Sequence, residues 1–223
     1  LPISFIKNRR RYAAKKYFLF IILYAVGYSQ TVYQLFPGSK NYLVELSFSN
    51  KSKLENQSLL ITFQETPEWI EFSNDEFIIE NINTLQKQTA QFSFNVSENA
   101  PLGEEGKITF RITKDNAGVI TKTYNIRITA PEIFEVYQNY PNPFNPTTTI
   151  KYSIPQDAFV SIKIFNVLGE KITELENKEM KTGIHETIFN ASSFSSGFYF
   201  YIVEAKGSDG TKYFDSKKMI LLK

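Results

Sequence analysis

The chemistry open to this chain is narrow. Of 223 residues, one is histidine, His185, and none is cysteine. A lone imidazole builds no catalytic triad, no metal cluster and no proton relay. Without thiols there are no disulfide scaffolds, thiolate metal sites or cysteine nucleophiles. No phosphate loop, dinucleotide fingerprint or zinc motif occurs. Carboxylates remain. Glu98, Glu104 and Glu105 flank the turn-rich stretch Asn99-Ala100-Pro101-Leu102-Gly103, but they lack the alternating spacing of a calcium loop. They read as solvated. Two distant carboxylates could in principle meet as a glycoside-hydrolysing pair, yet Asp and Glu fall mostly at outward alternating positions or in turns. The expectation is no catalytic residue, no cofactor-binding residue, no metal ligand and no enzyme. Trp69, the one tryptophan, could serve as a sugar platform; next to Pro67 in a strand-like run it reads better as a core or edge plug.

The elements around these residues are strands. Apolar residues make up 42%, with 20 Phe and 13 Tyr, a composition suited to pleated, half-buried surfaces. Tyr42–Phe48 places Tyr42, Val44 or Leu43, Leu46 and Phe48 mostly on one face. Ser58–Phe63, Glu68–Phe72 and Phe77–Ile82 follow. Thr89–Val96 alternates with Ala90, Phe92, Phe94 and Val96 inward. Lys107–Thr113 repeats this with Ile108, Phe110 and Ile112. After a hairpin turn at Asp115–Gly118, Val119–Thr129 turns Tyr124, Ile126 and Ile128 inward. Period-2 alternation puts one face on a core and one in water, so this set predicts an antiparallel β-sandwich. Pro37-Gly38-Ser39 reads as linker, and Ala130-Pro131-Glu132 as a boundary. Ile133–Gln138 can add a short strand beyond it.

Asn139-Tyr140-Pro141-Asn142-Pro143-Phe144-Asn145-Pro146 then organises the rest. Its prolines fix φ and remove amide donors, and they bias Tyr140, Asn142 and Asn145 away from helix. The octapeptide is expected to be stiff and extended, with Tyr140 and Phe144 as apolar anchors. Thr148–Ile154 puts Ile150, Tyr152 and Ile154 on one face. Val160, Ile162 and Ile164 point inward, with Ser161 and Lys163 outward. Asn166–Gly169 suits a tight hairpin, with Gly169 at positive φ. Phe198–Val203 is apolar on both faces, as in a central or covered strand.

Four blocks here resemble a known family. They are residues 139–150, Val160–Gly169, Ser196–Tyr201 and Lys217–Lys223. Together they are similar to the C-terminal sorting domain of type IX secretion cargo, related to the Ig-like domain of flagellar hook-capping proteins. The resemblance implies a secreted bacterial protein carried across the outer membrane by its tail. The motif positions it implies are Tyr140, Pro141, Asn142, Pro143, Phe144, Asn145, Pro146, Gly169, Gly197, Tyr199, Lys217, Lys218, Leu221 and Lys223. His185 stands where the family pattern also carries one, and a strand-edge hydrogen bond is its expected role. The stretch before the tail is loosely similar to Ig-like accessory modules of secreted bacterial enzymes.

Residues 1–29 read as an export signal. The basic run Lys7–Lys16 precedes an apolar run at Tyr17–Val26, and Gly27-Tyr28-Ser29 sets small residues for cleavage between Ser29 and Gln30. The apolar run is shorter than the roughly 20 residues a spanning helix needs. These residues hold six basic side chains and no acid, so a net charge of +2 becomes 19 basic against 23 acidic residues once they are removed. A mildly acidic chain argues against nucleic acid as a partner.

The expected organisation is all-β, with two tandem antiparallel Ig-like β-sandwich domains after the signal peptide. Its parts are signal peptide 1–29, linker 30–40, passenger sandwich 41–130, linker 131–138 and sorting sandwich 139–223. The expected partners are the type IX machinery, the Sec translocon and a cell-surface polysaccharide. The expected location is the medium or the outer-membrane surface, reached through the periplasm. The alternative is a carbohydrate- or matrix-binding accessory module of a larger secreted protein.

Overall fold

The computed structural model describes residues 31–49, 57–83, 86–114 and 118–223. The expected signal peptide, its expected Ser29/Gln30 junction and most of the 115–118 turn lie outside them.

The fold is all-β. The N-terminal part forms β1 (Val32–Leu35), β2 (Tyr42–Ser49), β3 (Gln57–Glu65), β4 (Ile70–Phe72), β5 (Glu76–Ile82), β6 (Lys87–Val96), β7 (Glu105–Lys114) and β8 (Gly118–Ile128). One sheet runs β1-β8-β7-β3-β5, the other β2-β6-β4. Between them lies a core that takes in Ala90, Phe92, Phe94, Val96, Ile108, Phe110, Ile112, Tyr124, Ile126 and Ile128. These are the residues the alternation turns inward. Aromatic rings knit its centre: Phe63 lies 4.0 Å from Phe72 and 5.1 Å from Phe110, centroid to centroid.

Two expectations are corrected here. Residues 30–40 are not simply linker. Val32–Leu35 pairs in parallel with Asn125–Ile128, and Leu35 is buried in the core. The first sandwich is therefore mixed, not purely antiparallel. The physical reason is the apolar Leu35, which finds its burial beside β8 before Pro37 turns the chain. Residues 131–138 are likewise structural. β9 (Glu135–Val136) pairs with β10 (Thr147–Ile154), and Val136 joins a second core.

That second core lies between the sheets β13-β10-β9 and β12-β11-β14-β15. Their strands are β10 (Thr147–Ile154), β11 (Ala158–Asn166), β12 (Lys171–Met180), β13 (Gly183–Asn190), β14 (Gly197–Gly207) and β15 (Lys212–Leu221). Ile150, Tyr152, Ile154, Val160, Ile162 and Ile164 are all fully buried there. Ser161 departs from expectation. It is buried, and its hydroxyl reaches Glu174 Oε1 at 3.3 Å. β11 is a central strand between β12 and β14, so its outward groups are flanked on both sides.

The two cores form separate clusters. One loop joins the sandwiches at the edge of β13. Ile184 N–H donates to Pro37 O at 2.8 Å, and Lys40 Nζ stands 3.6 Å from Glu186. A Cβ on Gly38 would lie 2.2 Å from Ile184 O, so only glycine fits this approach.

Candidate functional site

The proline octapeptide is bent, not extended. Tyr140 bridges to Thr149, and Phe144 bridges in parallel to Leu221. Between these bridges the chain folds back on itself. Asn139 Nδ2 donates to Pro141 O at 3.1 Å and to Thr148 Oγ1 at 2.9 Å, and Thr148 Oγ1 donates to Pro141 O at 2.8 Å. These side-chain bonds hold a carbonyl that a straight run would leave in water. The peptide bonds before Pro141 and Pro143 are cis. Phe144 is an anchor, buried against Phe189. Tyr140 is not. Its side chain is 67% exposed, because its strand-like bonds to Thr149 aim it away from the core.

The octapeptide closes on the end of β15. Ile220 N–H donates to Asn142 Oδ1 at 3.0 Å, Phe144 N–H to Ile220 O at 2.9 Å and Leu222 N–H to Phe144 O at 3.0 Å. Gln138 Nε2 adds a bond to Lys218 O at 2.8 Å. Tyr201, at the centre of β14, supports the turn from beneath. Its hydroxyl accepts from Asn139 N–H at 2.9 Å and donates to Tyr137 O at 2.7 Å. Burial raises the Tyr201 pKa, so the phenol stays neutral and able to donate. Lys223 closes the other side, its backbone N–H on Ser196 Oγ at 3.0 Å and its Nζ on Ser192 O at 2.6 Å.

The expected motif residues thus divide. Pro141, Asn142, Pro143, Phe144, Asn145, Pro146, Leu221 and Lys223 gather at one end of the sandwich with Gly197 and Tyr199. Tyr199 is buried, and its hydroxyl donates to Ser195 O at 2.7 Å. Lys218 is exposed beside Phe198, and Lys217 pairs with Asp215 at 2.7 Å. Gly169 lies in the β11–β12 turn at φ +79°. There Asn166 Oδ1 accepts from Leu168 and Glu170 N–H. Sequence reasoning missed Gln138, Thr148 and Tyr201. Tyr201 carries a signal in hindsight: a phenol amid apolar strand residues needs a polar partner once buried.

The remaining candidates hold structure. His185 is buried, and its Nε2 donates to Lys181 O at 2.7 Å. Trp69 packs partly buried on the first core beside Gly106, with its indole N–H 3.4 Å from Glu104 Oε1. A cleft of about 360 Å³ is lined by Val32, Glu65, Glu105, Gly106, Lys107, Asn125 and Ile126. Its carboxylates are engaged, Glu105 with Arg127 at 3.7 Å and Glu65 with Thr109 Oγ1 at 3.5 Å. Among the described residues no cluster of His, Asp or Glu could hold a metal ion.

Residues 138–220 match the family described as the secretion system C-terminal sorting domain. The tail of this chain is a type IX sorting domain. That domain is not catalytic. It marks a secreted protein, implies interaction with the type IX machinery, and implies export to the cell surface or beyond.

No curated protein matches the chain. Among solved structures it is similar to CopC from Methylosinus trichosporium OB3b, at 15% identity and TM-score 0.30, over 40% of this chain and 93% of that one. It is similar to the CupB2 chaperone of Pseudomonas aeruginosa, at 12% identity and TM-score 0.29, over 85% and 98%. Dimeric latent PorU from Porphyromonas gingivalis matches at 14% identity and TM-score 0.33, over 87% and 19%. Likenesses this weak carry no functional argument.

Proposed function

We propose that this is a non-catalytic secreted or cell-surface protein whose sorting domain, residues 139–223, directs its export across the outer membrane. Residues 1–29 are its signal peptide, taken by the Sec translocon and cut between Ser29 and Gln30. Residues 41–130 are the passenger, and the route runs through the periplasm.

The observation that carries the reading is the closed end of the sorting domain. A recognisable address needs fixed shape. Here the octapeptide and the end of β15 are tied by backbone bonds that Asn142, Thr148 and Tyr201 supplement, and Lys223 ties the 192–197 loop to them. The expected motif residues Phe144 and Leu221 meet at its centre.

The test is a fusion of residues 133–223 to a neutral periplasmic reporter in a host with the type IX apparatus. The reporter should reach the medium or the cell surface. Retention in the periplasm would defeat the proposal. The rival reading, a carbohydrate- or matrix-binding module that engages cell-surface polysaccharide, draws no support from Trp69, which packs on the first core beside Gly106.

A further inference from the structure

β14 is a central strand, yet only one of its faces is covered. Tyr199, Tyr201 and Val203 fill the core. The same alternation sends Phe198 and Phe200 to the outer face, where they are 49% and 38% exposed. The register sets Phe165 and Lys218 on either side of Phe200, and Ile220 beside Phe198. Asn166 pairs with Tyr199, so the β11–β12 turn lies at this same end of the sheet. That turn presents Val167 and Leu168, the latter 78% exposed. The result is a contiguous apolar surface bordering the closed end, where Ile220 N–H binds Asn142. Surfaces of this kind mark interaction sites.

Most of its charged groups are engaged, Glu170 by Asn166 Nδ2 at 2.7 Å. Lys163 is neutralised by Glu204 at 2.7 Å and Lys171 by Glu174 at 3.3 Å. Lys218 Nζ instead stands 5.2 Å from the centre of the Phe198 ring and forms no ion pair with a described residue. A cation on an aromatic platform offers a carboxylate both a charge and an apolar floor.

We propose that the outer face built by Phe165, Phe198, Phe200, Ile220, Leu168 and Lys218 is the docking surface of the sorting domain. Its partner is an export-machinery protein that presents an apolar patch bordered by carboxylates. This rests on the sorting reading above and names the face it uses.

The test expresses the full chain in a host with the type IX apparatus and measures the exported fraction. The unmodified chain is compared with Phe198→Ser/Phe200→Ser, Lys218→Glu, Lys218→Arg and Ile188→Ser, the last on the other sheet and 70% exposed. Purified variants are checked by thermal unfolding. The double variant should fold, accumulate in the periplasm and lose about tenfold in export, as loss of interface anchors does. Lys218→Glu should fall severalfold and Lys218→Arg by less, while Ile188→Ser stays at the unmodified level. If the double variant does not fold, the lysine pair decides. Export of Lys218→Glu at the unmodified level overturns the face, as does normal export of a folded double variant or an equal fall in Ile188→Ser. Binding to anionic phospholipid vesicles that the double variant loses while its export persists would assign the face to lipid and overturn the proposal. Failure of the unmodified chain to leave the cell would instead overturn the sorting reading.

Discussion

The hydroxyl of Tyr201 holds the backbone of Asn139, 62 residues away, by accepting its amide proton at 2.9 Å. The same oxygen donates to Tyr137 O. Both Tyr201 and Asn139 are buried, so the Asn139 amide cannot turn to water. Tyr201→Phe should therefore cost about 1–3 kcal/mol, the penalty of stranded buried polar groups, measured by urea unfolding. The folded-state pKa is raised, mainly by burial. Its contribution is complete below the unfolded value of about 10 and is lost as pH rises toward the folded value. The gap between the two proteins should narrow only in strong alkali. Equal stability at neutral pH would contradict the arrangement.

Phe144 joins the octapeptide to the core, and its backbone joins it to Ile220 and Leu222. Phe144→Ala should cost about 3–5 kcal/mol and lower the unfolding midpoint accordingly. Tyr140→Ala, at an exposed site, should change stability by less than about 0.5 kcal/mol. Comparable losses in the two variants would refute the division drawn between them.

Gly38 and Gly169 share positive φ but not surroundings. At Gly169 an added Cβ meets nothing within 4 Å; at Gly38 it meets Ile184 O at 2.2 Å. Gly169→Ala should cost only the left-handed backbone penalty, about 1–2 kcal/mol. Gly38→Ala should in addition break the Ile184–Pro37 bond. Hydrogen exchange at the Ile184 amide reports it: faster in Gly38→Ala, unchanged in Gly169→Ala.

Acid should test the Asp157–Lys181 pair. The Lys181 ammonium, 2.9 Å away, and then the Thr182 N–H hold the Asp157 carboxyl below its usual range. A lowered folded pKa gives stability that is present above the unfolded value of about 3.9 and lost as pH falls through the folded one. Asp157→Asn should be less stable at neutral pH and lose less on acidification. Thermal midpoints of both proteins from pH 7 to pH 2 would show it. Parallel curves across that range would mean the pair contributes nothing.

Much of this fold can be read from alternation. Phe92 and Phe94, or Ile162 and Ile164, face inward because a period of two leaves them nowhere else to go. What alternation cannot convey is the neighbourhood of a strand. Ser161 reads as solvent-facing, yet central β11 buries it. Leu35 was obscured by the Pro37-Gly38 turn that follows it, and its parallel partner lies some 90 residues downstream. The closed end was half legible. Its residue types were visible at 139–146 and 217–223. Their meeting depends on backbone bonds such as Leu222 to Phe144, which leave no mark on residue type. Tyr140 shows the limit most clearly, since an aromatic side chain can as well be displayed as buried.

The pairing of residues 142–144 with 220–222 also sets an order of events. A growing polypeptide cannot finish this corner while Leu222 is still inside the ribosome. A message cut short ahead of Ile220 would yield a product without that corner.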